Sequence, residues 1–200
     1  MEAGYRIRSQ PEYKGLNWQA RASAHLILAQ GPGVQSVINM LHQQHSDQPI
    51  TLLYAHQLGQ PINYDVELKM PLNADQHVFD DEKSTLKALK LLLPFQYMGT
   101  RIYVVGSQEF IWAVADAVKA FGIDDADIIK ELSGTLARSV YCVHCKAITH
   151  QATTNVTECS GCQRMLFVRD HFSRNLGAYM GLMVDAEDPG ELPVIEEIYL

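Results

Sequence analysis

All four cysteines of this 200-residue chain lie between Tyr141 and Arg164, in the stretch YCVHCKAITHQATTNVTECSGCQR. Their spacing is CxxC, thirteen residues, CxxC. Two thiols three positions apart can face one ion from a tight backbone knuckle, and two such knuckles complete a tetrahedral thiolate cage. Cys142, Cys145, Cys159 and Cys162 are therefore expected to bind one mononuclear ion, and zinc or iron fits four thiolates. Two disulfides are the alternative and would suit an exported protein. The N-terminus MEAGYRIRSQ, however, lacks the apolar core of a signal peptide, and no apolar run reaches membrane-spanning length. A cytoplasmic protein without a membrane association is the expectation.

Little else in the chain has the spacing of a reactive centre. It has no helical HExxH, no P-loop and no Ser/His/Asp order, and its eight histidines are scattered, so no catalytic residue is assigned. His144 sits inside the first knuckle, but a fifth ligand would crowd a tetrahedral site, which places it outside the ligand set. Asp170 and His171 could pass a proton or cap a helix. Capping is favoured, because Phe172, Leu176, Tyr179, Met180 and Met183 follow at the spacing of one helix face. That face could pack on its own ribbon or fill a partner's groove. Arg164, Arg169 and Arg174 flank it, and with Phe172 they form the candidate partner-binding set. The six carboxylates after Val184 read as a solvated acidic tail. A net charge of −7 argues against nucleic acid as a partner.

These sites need elements to hold them. HLILAQ (His25 to Gln30), ITLLYAHQ and RIYVVG read as buried strands, and DVELKM precedes a polar turn. Val34, Val37, Ile38 and Leu41 define one helix, and KSTLKALKLLL, stopped by Pro94, a second. A third starts at Ser107 as N-cap, carries Phe110, Ile111, Val114, Val118 and Phe121 on one face, and ends near Gly122. Strands alternating with helices predict an α/β fold with a parallel sheet, whose ligands gather at the carboxyl ends of the strands. Gly31, Gly33 and Gly106 occupy such ends and are the candidate cofactor-binding residues, although ordinary tight turns also use glycine there. The chain divides into an extension (1–23), an α/β domain (24–135) and a four-thiolate ribbon with a C-terminal helix and acidic tail (136–200).

From about residue 24 to 132, the succession HLILAQGPGVQSVINMLHQQ, ITLLYAHQ and RIYVVGSQEFIWAVADAVKAFGIDDADIIKE resembles the pyridine-nucleotide half of ferredoxin-reductase-type flavoenzymes. Gly31 and Gly33 match that family's phosphate turn. Its second turn normally reads Cys-Gly-Pro, where this chain has Val105, Gly106 and Ser107. Gln57 stands where the family often has a phosphate-binding Arg, and Ser36 where it has a proline. The resemblance therefore implies a degenerate nucleotide domain, and the two dozen residues before His25 are too few for a flavin barrel.

The segment CQRMLFVRDHFSRNLGAYMGLMVDAEDPGELP, behind the four-cysteine ribbon, resembles the small accessory subunits of bacterial dimethylamine monooxygenase, a multi-component N-demethylase. The resemblance implies an accessory subunit bridging two partners: a haem-bearing monooxygenase subunit and a reductase that carries flavin and an iron–sulfur cluster. The alternatives are a rubredoxin-type electron carrier and a zinc-ribbon adaptor. Rubredoxin knuckles usually place Gly after the second Cys, whereas Lys146 and Gln163 follow here, which favours zinc over iron.

Overall fold

The computed structural model describes residues 9–44, 46–57, 74–187, 190 and 192–200. These form two compact units: one of residues 13–134, the other of residues 135–200 with the described part of the N-terminal stretch, residues 9–12.

Within residues 13–134, β1 (Ala24–Gln30), β2 (Ile50–Ala55), β3 (Ala74–Phe79), β4 (Thr100–Gly106) and β5 (Ile128–Leu132) pair in parallel in the order β3-β2-β1-β4-β5. The three central strands are the continuous apolar runs anticipated from sequence, because a parallel strand covered on both faces has no polar side. The two edge strands are half-exposed, and ADQHVF and IIKEL carry the mixed polarity that hides such strands in a sequence. DVELKM lies outside the described residues. Helix α1 (Val34–His42) buries Val34, Val37, Ile38 and Leu41 against Ile27, Ala29, Leu52, Tyr54, Tyr103 and Val105. Alternation turns Leu26, Leu28, Leu53 and Val104, all buried, to the opposite sheet face.

Helix α2 (Glu82–Leu92) and helix α3 (Gln108–Lys119) pack against each other. Asp81 caps α2 by accepting the Ser84 N–H at 2.6 Å, and Ser107 caps α3 by accepting the Phe110 N–H at 3.2 Å. The strand order makes β1 and β4 neighbours whose chains leave in opposite directions, which is the switch point where such sheets bind ligands.

In the second unit, β6 (Arg138–Cys142), β7 (Ile148–Ala152), β8 (Val156–Glu158), β9 (Met165–Ser173) and β10 (Ala178–Met183) form a sheet ordered β7-β6-β10-β9-β8. β10 runs parallel to β6, and the other neighbours are antiparallel. The expected C-terminal helix is not formed: its stripe divides between β9 and β10, joined by a turn containing Leu176 and Gly177, the latter at φ +60°. Phe172 and Tyr179 are cross-strand partners with their rings edge to face at 4.9 Å. Spacing that imitates a helix face is here a hairpin pairing across its turn. The true period is two, since Leu166, Val168 and Phe172 are buried while Phe167, Arg169 and His171 are exposed.

Asp170 and His171 consequently cap nothing. Asp170 accepts from Arg138 Nη1 at 2.8 Å, and the His171 ring lies 3.4 Å from Ser9 Oγ. Residues 192–200 are exposed apart from Tyr199, as expected of a solvated tail, yet their backbone is paired. Leu136 donates its N–H to the Leu200 carbonyl, Ile198 and Tyr199 donate to Thr153, and Asn155 donates to Glu196. Tyr199 is buried, and the Arg138 guanidinium lies between the Tyr179 and Tyr199 rings at 3.9 and 3.8 Å while donating to the Tyr199 hydroxyl at 2.9 Å.

Candidate metal centre and switch-point crevice

β6 ends on Cys142 and turns back toward β7 through Cys145, while Cys159 and Cys162 occupy the matching turn between β8 and β9. Each turn closes by a backbone bond from the residue after its second cysteine to the carbonyl of its first: Lys146 to Cys142 and Gln163 to Cys159, both at 2.9 Å. That closure demands left-handed backbone, and Lys146 and Gln163 adopt φ +70° and +62°. Glycine would occupy this conformation without strain, and neither turn has it there. Gly161 serves a different need, since a Cβ on it would meet Ala147 Cβ at 2.7 Å and Cys145 Sγ at 3.0 Å.

The four sulfurs all lie within 4.8 Å of one another, with Cys142 and Cys162 at 3.8 Å and Cys145 and Cys159 at 3.5 Å. A disulfide needs ~2.0 Å between sulfurs. A tetrahedron of ~2.3 Å metal–sulfur bonds has edges of about 3.8 Å, so the donor set fits one tetrathiolate ion. Among the described residues it is the one cluster of metal-ligating side chains.

Backbone N–H groups stabilise thiolates here. Cys162 is pulled down to about 6, first by the Arg164 N–H and then by the Arg164 side chain. The Cys162 and Gly161 N–H groups lower Cys159 against the cost of burial. The Ala147 N–H lowers Cys145, but desolvation and the three neighbouring thiols outweigh it and push that thiol up to about 11. Such opposed shifts are what four crowded sulfurs produce when they cannot all carry charge without a cation.

His144 stays outside the cage. Its Nδ1 accepts from Arg164 Nη1 at 3.0 Å, a bond that ties the two knuckles together. Arg164 is thus occupied beside the cage, whereas Arg169 and Arg174 are exposed. Phe172 is 5% exposed, so it belongs to the sheet's own core and drops out of the docking set.

At the switch point, Gly31, Gly33 and Gly106 are packed against protein. A Cβ on Gly31 would lie 2.6 Å from Gln57 Oε1, one on Gly33 2.7 Å from Val105 Cγ1, and one on Gly106 2.8 Å from both Gln30 Cβ and Phe110 Cδ1. The buried Gln30 side chain spans the crevice between β1 and β4. Its Oε1 accepts the Ser107 hydroxyl at 2.8 Å and the Ser107 N–H at 3.1 Å, and its Nε2 donates to Glu82 Oε2 at 3.2 Å. Glu82 is pushed up to about 7 by burial and by the nearby Glu109 carboxylate, against the pull of the Gln30 amide. The Glu82 and Glu109 carboxylates give this end of the sheet acidic rather than basic character. Nothing in the sequence pairs Gln30 with Ser107, because only the strand order brings residues 77 apart together.

A parallel nucleotide-domain-like sheet followed by a tetrathiolate ribbon defines the class of protein. Dimethylamine monooxygenase subunit DmmA-like profiles match it twice, the N-terminal domain over residues 5–128 and the C-terminal domain over residues 139–182, and the chain belongs to this family. It is 30% identical over 181 residues to the delta subunit of a heme-dependent oxidative N-demethylase from Ectopseudomonas mendocina (strain ymp), covering 90% of this chain and 91% of the relative. Among solved structures, a siderophore-interacting protein from Acinetobacter baumannii aligns over 59% of this chain and 48% of its own, with a TM-score of 0.42 and 16% identity. A variant ferredoxin-NADP+ reductase from Plasmodium falciparum with 2'P-AMP aligns over 56% and 54%, with a TM-score of 0.40 and 18% identity. The chain thus spans about half the length of these structures. Among the described residues, no helix is long and apolar enough to cross a membrane.

Proposed function

We propose that this chain is an accessory, non-catalytic subunit of a haem-dependent dimethylamine monooxygenase that removes a methyl group from the amine by oxidation. It bridges a haem-bearing subunit and a reductase subunit that carries flavin and an iron–sulfur cluster. The single observation that carries the reading is likeness to an N-demethylase delta subunit across 91% of that subunit's length, since it includes both the sheet and the ribbon. The geometry supports an accessory role. Gln30 ties the ends of β1 and β4 together where a sheet of this order would hold a nucleotide, and the thiolate cage is built into a sheet.

Cys142, Cys145, Cys159 and Cys162 hold the ion, with zinc favoured. A zinc ion lacks redox chemistry and would supply folding free energy to a ribbon whose two knuckles are far apart in sequence. Iron in the same cage would make the ribbon an electron relay, which is the second reading. The test is co-expression of the complete assembly with and without this chain. Loss of dimethylamine oxidation driven by reduced pyridine nucleotide on omission, with the haem still bound to its own subunit, is the expected result. Undiminished turnover without the chain would refute the reading. Metal analysis of the same preparation separates stoichiometric zinc from a coloured, reducible iron.

A further inference from the structure

Helix α2 buries one face and leaves the other exposed. Thr85, Leu89 and the following Leu93 are buried, at 0%, 0% and 6% exposure. The opposite ridge is exposed and runs Lys83, Lys87, Leu91, Phe95 at four-residue spacing, with Lys90 beside it. At its far end Leu91, Phe95, Tyr97 and Met98 are 65%, 79%, 67% and 99% exposed. An open groove of about 860 Å³ follows the helix, lined by the three lysines, Leu91, Glu82 and Glu109. Four large apolar side chains exposed within an eight-residue span are more than the scattered single residues a surface ordinarily carries.

Resting on the subunit reading above, we infer that this ridge docks a partner subunit of the same assembly. The partner presents an apolar spot to Leu91, Phe95, Tyr97 and Met98, and carboxylates to Lys83, Lys87 and Lys90. The arrangement follows the anatomy of a protein interface, with an apolar centre and a charged rim that sets approach and register. Three aligned lysines on a chain of net charge −7 select an acidic partner surface. A second copy, seated antiparallel on the same ridge, is a further outcome the test reads. An anionic lipid surface shares the acidic chemistry, and binding to anionic vesicles is therefore one of the outcomes the test reads. The buried ridge of α2 takes no part in this surface, so the exposed ridge can be changed while the helix stays packed.

The test uses the full chain co-expressed with the other subunits, as wild type, Lys87→Glu/Lys90→Glu, Phe95→Ser/Met98→Ser, and a Lys14→Glu control at an exposed lysine outside the ridge. Affinity for the partner subunits is measured by surface plasmon resonance, folding by far-UV circular dichroism and melting temperature, self-association by light scattering, and lipid binding by sedimentation with phosphatidylglycerol vesicles. Wild-type affinity that falls with salt is expected, with at least tenfold weaker binding by both ridge variants at unchanged circular dichroism, and the control within twofold of wild type. Ridge variants that fold and bind as wild type overturn the inference and leave the subunit reading standing. So does a ridge that governs only a homodimer or vesicle binding. A wild-type chain that binds no partner subunit even at low salt overturns both.

Discussion

At the scale of the residue, the four cysteines and one carboxylate make checkable demands. Replacing Cys159 by Ser leaves three thiolates on an ion that wants four. Metal affinity in small ribbons is largely folding free energy, on the order of 10 kcal/mol. The expected outcome is substoichiometric metal by plasma emission and loss of dispersed amide signals from residues 135–200, with those of residues 13–134 unchanged. Glu82 works through pH. Its folded value is raised to about 7 from 4.5, so the folded state holds a proton that the unfolded chain has released. The associated stability is fully present below pH 4.5 and disappears as pH rises through 7. Glu82→Gln keeps an acceptor for the Gln30 amide and removes the ionisation. It is expected to raise stability at pH 8 by about 1–2 kcal/mol, after discounting for the group's partial exposure, and to leave it nearly unchanged at pH 4. Urea denaturation at the two pH values measures this.

At the scale of the element, the β1 and β4 ends decide whether the sheet accepts a nucleotide. Gln30 bonds both the N–H and the hydroxyl of Ser107, the residue that caps α3. Gln30→Ala strips two buried donors of their acceptor and is expected to cost about 1–3 kcal/mol in chemical denaturation. The wild-type chain is expected to show no low-micromolar heat of binding with NADH or NADPH by calorimetry, and such a heat would return Gly31, Gly33 and Gly106 to a cofactor role. The C-terminal strands carry a different lesson about elements. Phe172 and Tyr179 are seven residues apart and face one another across a hairpin. The same separation lies on one face of a helix, so the apolar pattern fits both until the partner strand β6 is known. Gly181 settles it physically: a side chain there would meet Val140 Cγ1 at 2.7 Å, which makes the position specific for close approach of β6 and β10.

At the scale of the whole molecule, two units with separate cores make separable stability expected. The 13–134 unit rests on apolar burial between a five-stranded sheet and its helices. The other has a smaller core, and its two metal knuckles, the Arg138 stack and the pairing of residues 192–200 compensate. A strong chelator is therefore expected to abolish one calorimetric transition and leave the other within a few degrees, with recovery on adding back zinc.

What could be read in the chain without coordinates was local. The ligand spacing of two CxxC knuckles, three buried strands, the α1 face and the Ser107 cap each depend on residues a few positions apart, and there sequence and structure agree. The resemblance, which extends across the chain and is most specific between Cys142 and Pro193, also placed the chain in its family, as the matching family models bear out. Strand order, by contrast, is a property of the whole chain. It alone brings Gln30 to Ser107, lays β10 beside β6 rather than coiling it, buries Phe172, folds Tyr199 back onto Arg138, and leaves the α2 ridge bare. Each of these depends on contacts between distant residues, whose free energy exists only once the sheet that joins them has formed.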